Sequence, residues 1–255
     1  PPGAPETAPE LKGAAVRRGD QVFLGLSRGA GVLILVIMAA IAVFLIWKAI
    51  PSLQANTANF FTTQDWTPDA DPAYFGIAAL AFGTIMTAII AMLLAVPVGI
   101  GIALFIAHYA NKRLGAALGF ITDLLAAVPS IIFGMWGLSF LMPQMQGFLQ
   151  WLATYFAWIP LFQNDLGIYT RSIMIAGTVL AIMVLPTVSA ISREVFLQVP
   201  REHIEAALAL GATRWEMVRM SVFTFARPGM ISASMLGLGR ALGETIAVAL
   251  VLSAT

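Results

Sequence analysis

The sequence predicts an all-α polytopic membrane protein, and three observations predict it. The 255 residues are 59% hydrophobic and only 11% charged, with a mean hydropathy of +0.87, whereas soluble domains carry roughly 25% charged residues. Five apolar stretches are each long enough to cross a hydrocarbon layer, which takes about 20 residues of helix. Lysine and arginine gather on alternate connections between those stretches, the distribution that sets orientation in a bilayer.

Residues 1–28 read as a disordered, basic cytoplasmic tail, and residues 29–255 as the transmembrane domain. PPGAPETAPE is Pro-rich and polar, and positions 10–28 are too polar for the apolar core of a cleavable leader. The first span is predicted from Ala30 to Trp47. The second, Phe75 to Ala107, contains Pro97 and is expected to kink there, because proline lacks a helix donor and clashes with the preceding turn. The third, Ala116 to Met142, contains Pro129 and Gly134 and is expected to break at membrane depth, which is tolerated only against protein or water. The fourth runs from Ser172 to Ile191 and the fifth from Gly229 to Ala254.

Most of the 14 basic residues fall on one side: Lys12, Arg17, Arg18 and Arg28, then Lys112 and Arg113, then Arg193, Arg201, Arg214, Arg219 and Arg227. That side is predicted to be cytoplasmic, with the N-terminus on it. On the opposite side Phe148, Trp151, Leu152, Tyr155, Phe156 and Ile159 recur at helical spacing between Pro143 and Pro160. They predict an amphipathic helix in the outer interface, or a docking surface for an external partner. Gly115-x-x-x-Gly119 and Gly239-x-x-x-Gly243 have the spacing of close helix packing.

The cytoplasmic stretch VPREHIEAALALGATRWEMVRM, Val199 to Met220, carries the most information. Pro200 suits a first helical turn, and Ile204, Ala207 and Leu208 form an apolar stripe. Gly211 can take the left-handed conformation that ends a helix. Thr213-Arg214-Trp215-Glu216 has the form of a capping box for a second helix, whose apolar side includes Trp215 and Val218. Two short helices at an angle, outside the membrane, suit a knob on which a soluble protein docks.

Glu205-Ala206-Ala207, with Gly211 four positions on, resembles the EAA motif of ATP-binding-cassette (ABC) importer permeases. The resemblance implies coupling helices at about 200–220, inserted into a groove of an ATPase subunit through Glu205, Ala206, Ala207, Gly211, Thr213, Trp215 and Glu216. The family pattern continues with an aliphatic residue, a variable position and Leu-Pro, where this chain has Ser221 and Phe223-Thr224. AVPSIIFG, SAISREVF and GLGRALGETIAV extend the likeness, from Ala30 to Thr255, to the C subunit of phosphate-specific (Pst) permeases. It implies a MetI-like permease fold with five visible spans of an expected six. It also implies a homologous PstA-type permease, two copies of a PstB-type ATPase that bind ATP and Mg, and an external PstS-type phosphate-binding protein. The location would be a bacterial inner membrane.

Arg240 lies within the fifth span, about 16 Å deep at about 1.5 Å per residue. Glu244, four residues later, is expected on the same helix face. A structural ion pair is one reading; an anion site or gate is the other, since a guanidinium fork matches phosphate oxygens. The Arg and Glu of the RALGET run are transport-critical in the resembling subunits, so Arg240 and Glu244 are the expected path or gate. An ionised Glu244 there would accept a hydrogen bond from protonated phosphate and repel sulfate. Asp123 is expected to cap the interface or to pair with Lys112 or Arg113.

Other chemistries find no residues. The chain has no cysteine, and His108 and His203 lack companions of metal-ligand spacing. No Walker A pattern and no nucleophile–base pair occur, so no cofactor is expected in the chain and energy must come from a partner subunit. A net charge of +1 gives no basis for nucleic-acid binding. The competing readings are an ion-coupled secondary transporter, in which Glu244 and Asp123 relay protons, and a permease for another oxyanion such as sulfate.

Overall fold

The computed structural model describes residues 18–56, 58–67, 69–159, 167, 169 and 172–253. Lys12, Arg17, Pro160, Ala254 and Thr255, used in the sequence reading, lie outside them. The chain divides into two units, Pro1–Ala78 and Ala79–Thr255.

In the first unit, helix α1 runs from Arg18 to Ala55 over 38 residues, about 57 Å. Arg18–Arg28, expected as part of a disordered tail, forms its opening turns, since no proline or glycine cluster interrupts that stretch. Beyond α1, Asn56 accepts from the Phe75 N–H and donates to the Phe75 carbonyl, both at 3.2 Å. This amide clamp closes a loop holding two short antiparallel strands, β1 (Trp66–Thr67) and β2 (Tyr74–Phe75), paired Trp66 to Phe75 and Thr67 to Tyr74. They are the only departure from an all-α chain among the described residues.

The second unit is built around one enclosed helix. Helix α2 (Ala78–Leu104) continues unbroken through Pro97 and ends in a π-helical turn at Phe105–Tyr109. Helix α3 (Lys112–Ala126) is capped by Asn111, whose side chain accepts from the Leu114 N–H at 2.8 Å. The chain breaks at Ala127–Pro129 and resumes as α4 (Ser130–Trp136), a π turn at Gly137–Leu141 and α5 (Met142–Tyr155). The two sides of the break meet at 93°. Pro129 explains it, since its ring denies the preceding residue the helical conformation. The aromatic helix expected in the outer interface is therefore not a separate element; α5 continues the helix begun at Ser130. Its Trp151 ring lies 5.6 to 6.1 Å from the rings of Phe148, Tyr155 and Phe156.

Helix α6 (Ile173–Leu197) is the centre of the unit, with Ile175, Met183, Val184, Val188 and Phe196 fully enclosed. Lipid is as apolar as leucine, so helices associate through close contact, which small residues permit. Helix α2 presents Ala88, Ala91, Ala95 and Gly99 to this core. A Cβ on Gly99 would stand 3.2 Å from Val188. After α6 come α7 (Arg201–Ala209), α8 (Arg214–Met217), a π turn at Val218–Val222, α9 (Phe223–Gly243) and α10 (Ile246–Ser253). A Cβ on Gly237 of α9 would meet Val188 at 2.8 Å, so α6 is held between α2 and α9. Of the two small-residue pairs noted in the sequence, Gly119 packs against Arg193, while Gly239 and Gly243 face open space.

Among the described residues three helices are by themselves long and apolar enough to cross a bilayer, and counting each bent pair as one crossing gives up to five. The fifth is not a single straight span as expected. Its helix stops at Gly243 and α10 departs at 54°.

Candidate functional site

The projection expected on the cytoplasmic side is assembled from the end of α6, α7, α8 and the π turn. Helix α7 ends in a Schellman cap: the Gly211 N–H bonds to the Leu208 carbonyl at 3.0 Å and the Ala212 N–H to the Ala207 carbonyl at 3.2 Å. Gly211 has φ +82°, the left-handed region that a β-branched residue avoids. Thr213 and Glu216 form the predicted capping box. The Glu216 N–H donates to Thr213 Oγ1 at 3.3 Å, and Glu216 Oε2 accepts from the Thr213 N–H at 2.8 Å. The Thr213 backbone, then its hydroxyl, holds the Glu216 carboxyl below the usual carboxylate range.

Ala207 explains why the projection is compact. It is buried in a cluster with Phe196, Val199, Met217, Val218, Val222 and Ala226, to which Ala103 and Leu104 of α2 also belong. A longer side chain there would push α7 away from the following helix. Ser221 adds a cross-link, its hydroxyl donating to the His203 carbonyl at 3.1 Å. Glu205 and Ala206 stay exposed. So do Leu208, Leu210 and Trp215, at 44%, 87% and 57% exposure. Leu208 and Trp215 are thus presented outward, as a docking knob requires, while Ala207 and Val218 of the same apolar sides are buried. Trp215 also meets Phe223 edge-on, with ring centroids 6.3 Å apart.

The second short helix does not end where the permease pattern places Leu-Pro. With Ser221 and Phe223-Thr224 there, no proline interrupts it, and Arg214–Gly243 forms one continuous helical run.

That run carries Arg240. Its Nη1 donates to Thr187 Oγ1 on α6 at 2.7 Å, and both residues are half-buried. Glu244 is not on the same helical face, because α9 ends at Gly243 and Glu244 is extended, with φ −77° and ψ 119°. Its Oε1 accepts from the Ala247 N–H at 3.0 Å and caps the first turn of α10. No ion pair joins Arg240 to a carboxylate among the described residues. Asp123 pairs with neither Lys112 nor Arg113 but with Arg193 of α6, at 3.1 Å. Sequence reasoning missed Thr187 and Arg193 as partners because they lie 53 and 70 positions away along the chain.

Several apolar helices long enough to cross a bilayer, a capped projection beyond them and a guanidinium paired with a threonine rather than a carboxylate are features that suit a membrane permease subunit. Residues 99–255 match the family described as binding-protein-dependent transport system inner membrane component. The chain belongs to that family, in the PstC group of permease subunits. It is 50% identical over 239 residues to the phosphate transport system permease protein PstC 2 of Mycobacterium tuberculosis, covering 92% of this chain and 74% of the relative. It is 43% identical over 241 residues to PstC of Xylella fastidiosa, covering 92% and 73%. A probable phosphate transport system permease protein PstC of Methanocaldococcus jannaschii is 38% identical over 222 residues, covering 86% and 70%. A solved MetNI methionine ABC transporter in inward-facing conformations is similar at a TM-score of 0.45 and 21% identity, over 66% of this chain and 68% of its own.

Proposed function

We propose that the chain is the transmembrane permease subunit of an ATP-driven importer that moves inorganic phosphate into the cytoplasm. The observation that carries the mechanism is continuity: one helical run, Arg214–Gly243, joins the exposed projection at Trp215 to the intramembrane Arg240. Phosphate as cargo is supported by the names of the relatives. A bidentate guanidinium also suits a tetrahedral oxyanion.

In this reading Leu208, Leu210 and Trp215, with Glu205, Ala206, Ala207, Gly211, Thr213 and Glu216 shaping the surface, dock on a PstB-type ATPase. Two copies of that ATPase bind ATP and Mg. A PstA-type permease lies beside this chain, and a PstS-type phosphate-binding protein delivers cargo from outside. The chain is multi-pass in the bacterial cytoplasmic membrane with its N-terminus in the cytoplasm, as the basic residues on that side support. Arg240 lines the path or its gate. Glu244 holds the helix break beside it.

The complex purified with this chain and reconstituted with its binding protein is expected to accumulate labelled phosphate only with ATP. Sulfate should not stimulate its ATP hydrolysis. Uptake driven by an ion gradient without ATP would favour the secondary-transporter reading, and stimulation by sulfate would reassign the cargo.

A further inference from the structure

We propose that Thr187 is a second anion-facing residue of the Arg240 site, holding the guanidinium through Oγ1 while donating its own hydroxyl proton to an oxygen of the transported oxyanion. The inference rests on the reading of Arg240 as part of the path.

Three observations carry it. The first is how the hydroxyl is used. Thr178, on the same helix, takes the usual helical course and donates to the Met174 carbonyl one turn back, at 2.8 Å. Thr187 instead turns its oxygen to Arg240 Nη1 at 2.7 Å, and its proton has no acceptor among the described residues. A threonine in a helix chooses between two side-chain rotamers, and here the choice serves the arginine.

The second is charge. Arg240 has Thr187 as its one protein partner among the described residues, and Glu244 is turned to Ala247. A cation within a membrane span with no carboxylate beside it is costly to hold there. An arriving anion removes that cost.

The third is space. Helix α6 is enclosed at Met183, Val184, Val188 and Ser189, yet Thr187, Ala190 and Ile191 are half-buried and Glu194 is exposed. Thr187 therefore stands on a half-buried strip of that helix, with Ala190 and Ile191. Across from it, Gly239 and Gly243 flank Arg240 with no atom within 4 Å of where a Cβ would sit. The two bonded side chains are thus each only half-buried, with open space beside α9 at Gly239 and Gly243, so an oxyanion reaching the pair could accept from both the guanidinium and the hydroxyl.

The test uses labelled phosphate uptake by cells whose only phosphate importer is the complex carrying this chain, with assembly measured by co-purification of its subunits. Thr187→Val keeps the shape and removes the hydroxyl; Thr187→Ser keeps the hydroxyl and removes the methyl. Loss of a hydrogen bond to a charged group predicts an uptake rate about tenfold lower for Thr187→Val. Thr187→Ser should stay within about twofold of the parent. A packing role predicts the opposite order, and that order, or equal rates in assembled Thr187→Val and parent, overturns the proposal. Should Thr187→Val fail to assemble, Thr187→Ala against Thr187→Ser decides in the same way. Arg240→Gln is run alongside. If it transports normally, the reading of Arg240 fails, whereas a dead Arg240→Gln with a fully active Thr187→Val removes Thr187 alone.

Discussion

Arg193 of α6 donates through Nη2 to both carboxylate oxygens of Asp123 on α3, at 3.1 and 3.3 Å, and to Glu194 at 2.9 Å. The arginine side chain is only 14% exposed, while both carboxylates are more than half exposed. The bond ties α3, which leads into the sharp break before α4, to α6, and Gly119 makes room for it, since a Cβ there would strike the guanidinium.

Asp123→Asn should therefore cost little, up to about 1 kcal/mol, because half-exposed carboxylates are well solvated in either state. Gly119→Ala should cost as little, because the atom its Cβ would meet, Arg193 Nη1, is the end of a flexible side chain that can shift, and alanine favours a helix interior over glycine by about 1 kcal/mol. Thermal unfolding of the detergent-solubilised complex at low and high salt checks both. A small, salt-dependent loss is expected for asparagine, and for alanine a stability within about 1 kcal/mol of the parent.

Gly211→Val should leave membrane insertion intact but weaken binding of the ATPase and abolish transport. No neighbour lies within 4 Å of a Cβ at this position. The penalty is thus conformational, about 1–2 kcal/mol or more for a residue forced to stay left-handed. Gly211→Asn, which tolerates that conformation, should retain most ATPase in a co-purification measurement. Equal retention by the valine variant would contradict the role given to the cap.

The capping box should respond to acid. The Glu216 carboxyl is held below its usual 4.5 by the bonds from Thr213. Its contribution is therefore complete above the unfolded-chain value and is lost as pH falls through the lower folded value. Amide exchange over Arg214–Met217 should accelerate across that acid window relative to the rest of the projection. Glu216→Gln should lack this relative change.

Arg240→Gln should abolish uptake in an assembled complex, because glutamine keeps a polar group but neither the permanent charge nor the fork. Glu244→Gln is expected to behave differently. Its amide oxygen can still accept from Ala247, so assembly and the sulfate-to-phosphate uptake ratio should both stay near the parent's. Glu244→Ala removes the cap and should lower thermal stability by about 1 kcal/mol. A raised sulfate ratio in Glu244→Gln would return the carboxylate to the selectivity role first inferred from its spacing.

What the sequence discloses well is what depends on neighbours along the chain. The glycine cap at 211, the Thr213–Glu216 box and the break at Pro129 all follow from local chemistry, and each is found. The i, i+4 argument for Arg240 and Glu244 was local too, yet it failed, because it assumed a helix that continues. Gly243-Glu244-Thr245 contains no proline to announce the break, and the packing of α10 against α4 selects it: a Cβ on Gly134 would lie 2.9 Å from Ala247. Arg193 with Asp123, and Arg240 with Thr187, are tertiary pairs that no spacing rule indicates. Tyr169 and Leu149 join the core for the same reason, from stretches whose pattern reads as interface or loop.

The uninterrupted run from Arg214 to Gly243 has a mechanical corollary. Trp215 and Arg240 are twenty-five positions apart on it, about 37 Å at helical rise. The run includes the π turn at Val218–Val222 and Pro228, the kinds of feature at which helices bend. Were it to tilt as one body about the Val188 contact near one end, a tilt of roughly 10° would swing the far tip by about 6 Å, on the scale of a helical turn, while the guanidinium close to the pivot would move far less. A displacement applied at the projection would then reach the Arg240–Thr187 bond reduced in amplitude, less whatever the π turn and Pro228 absorb.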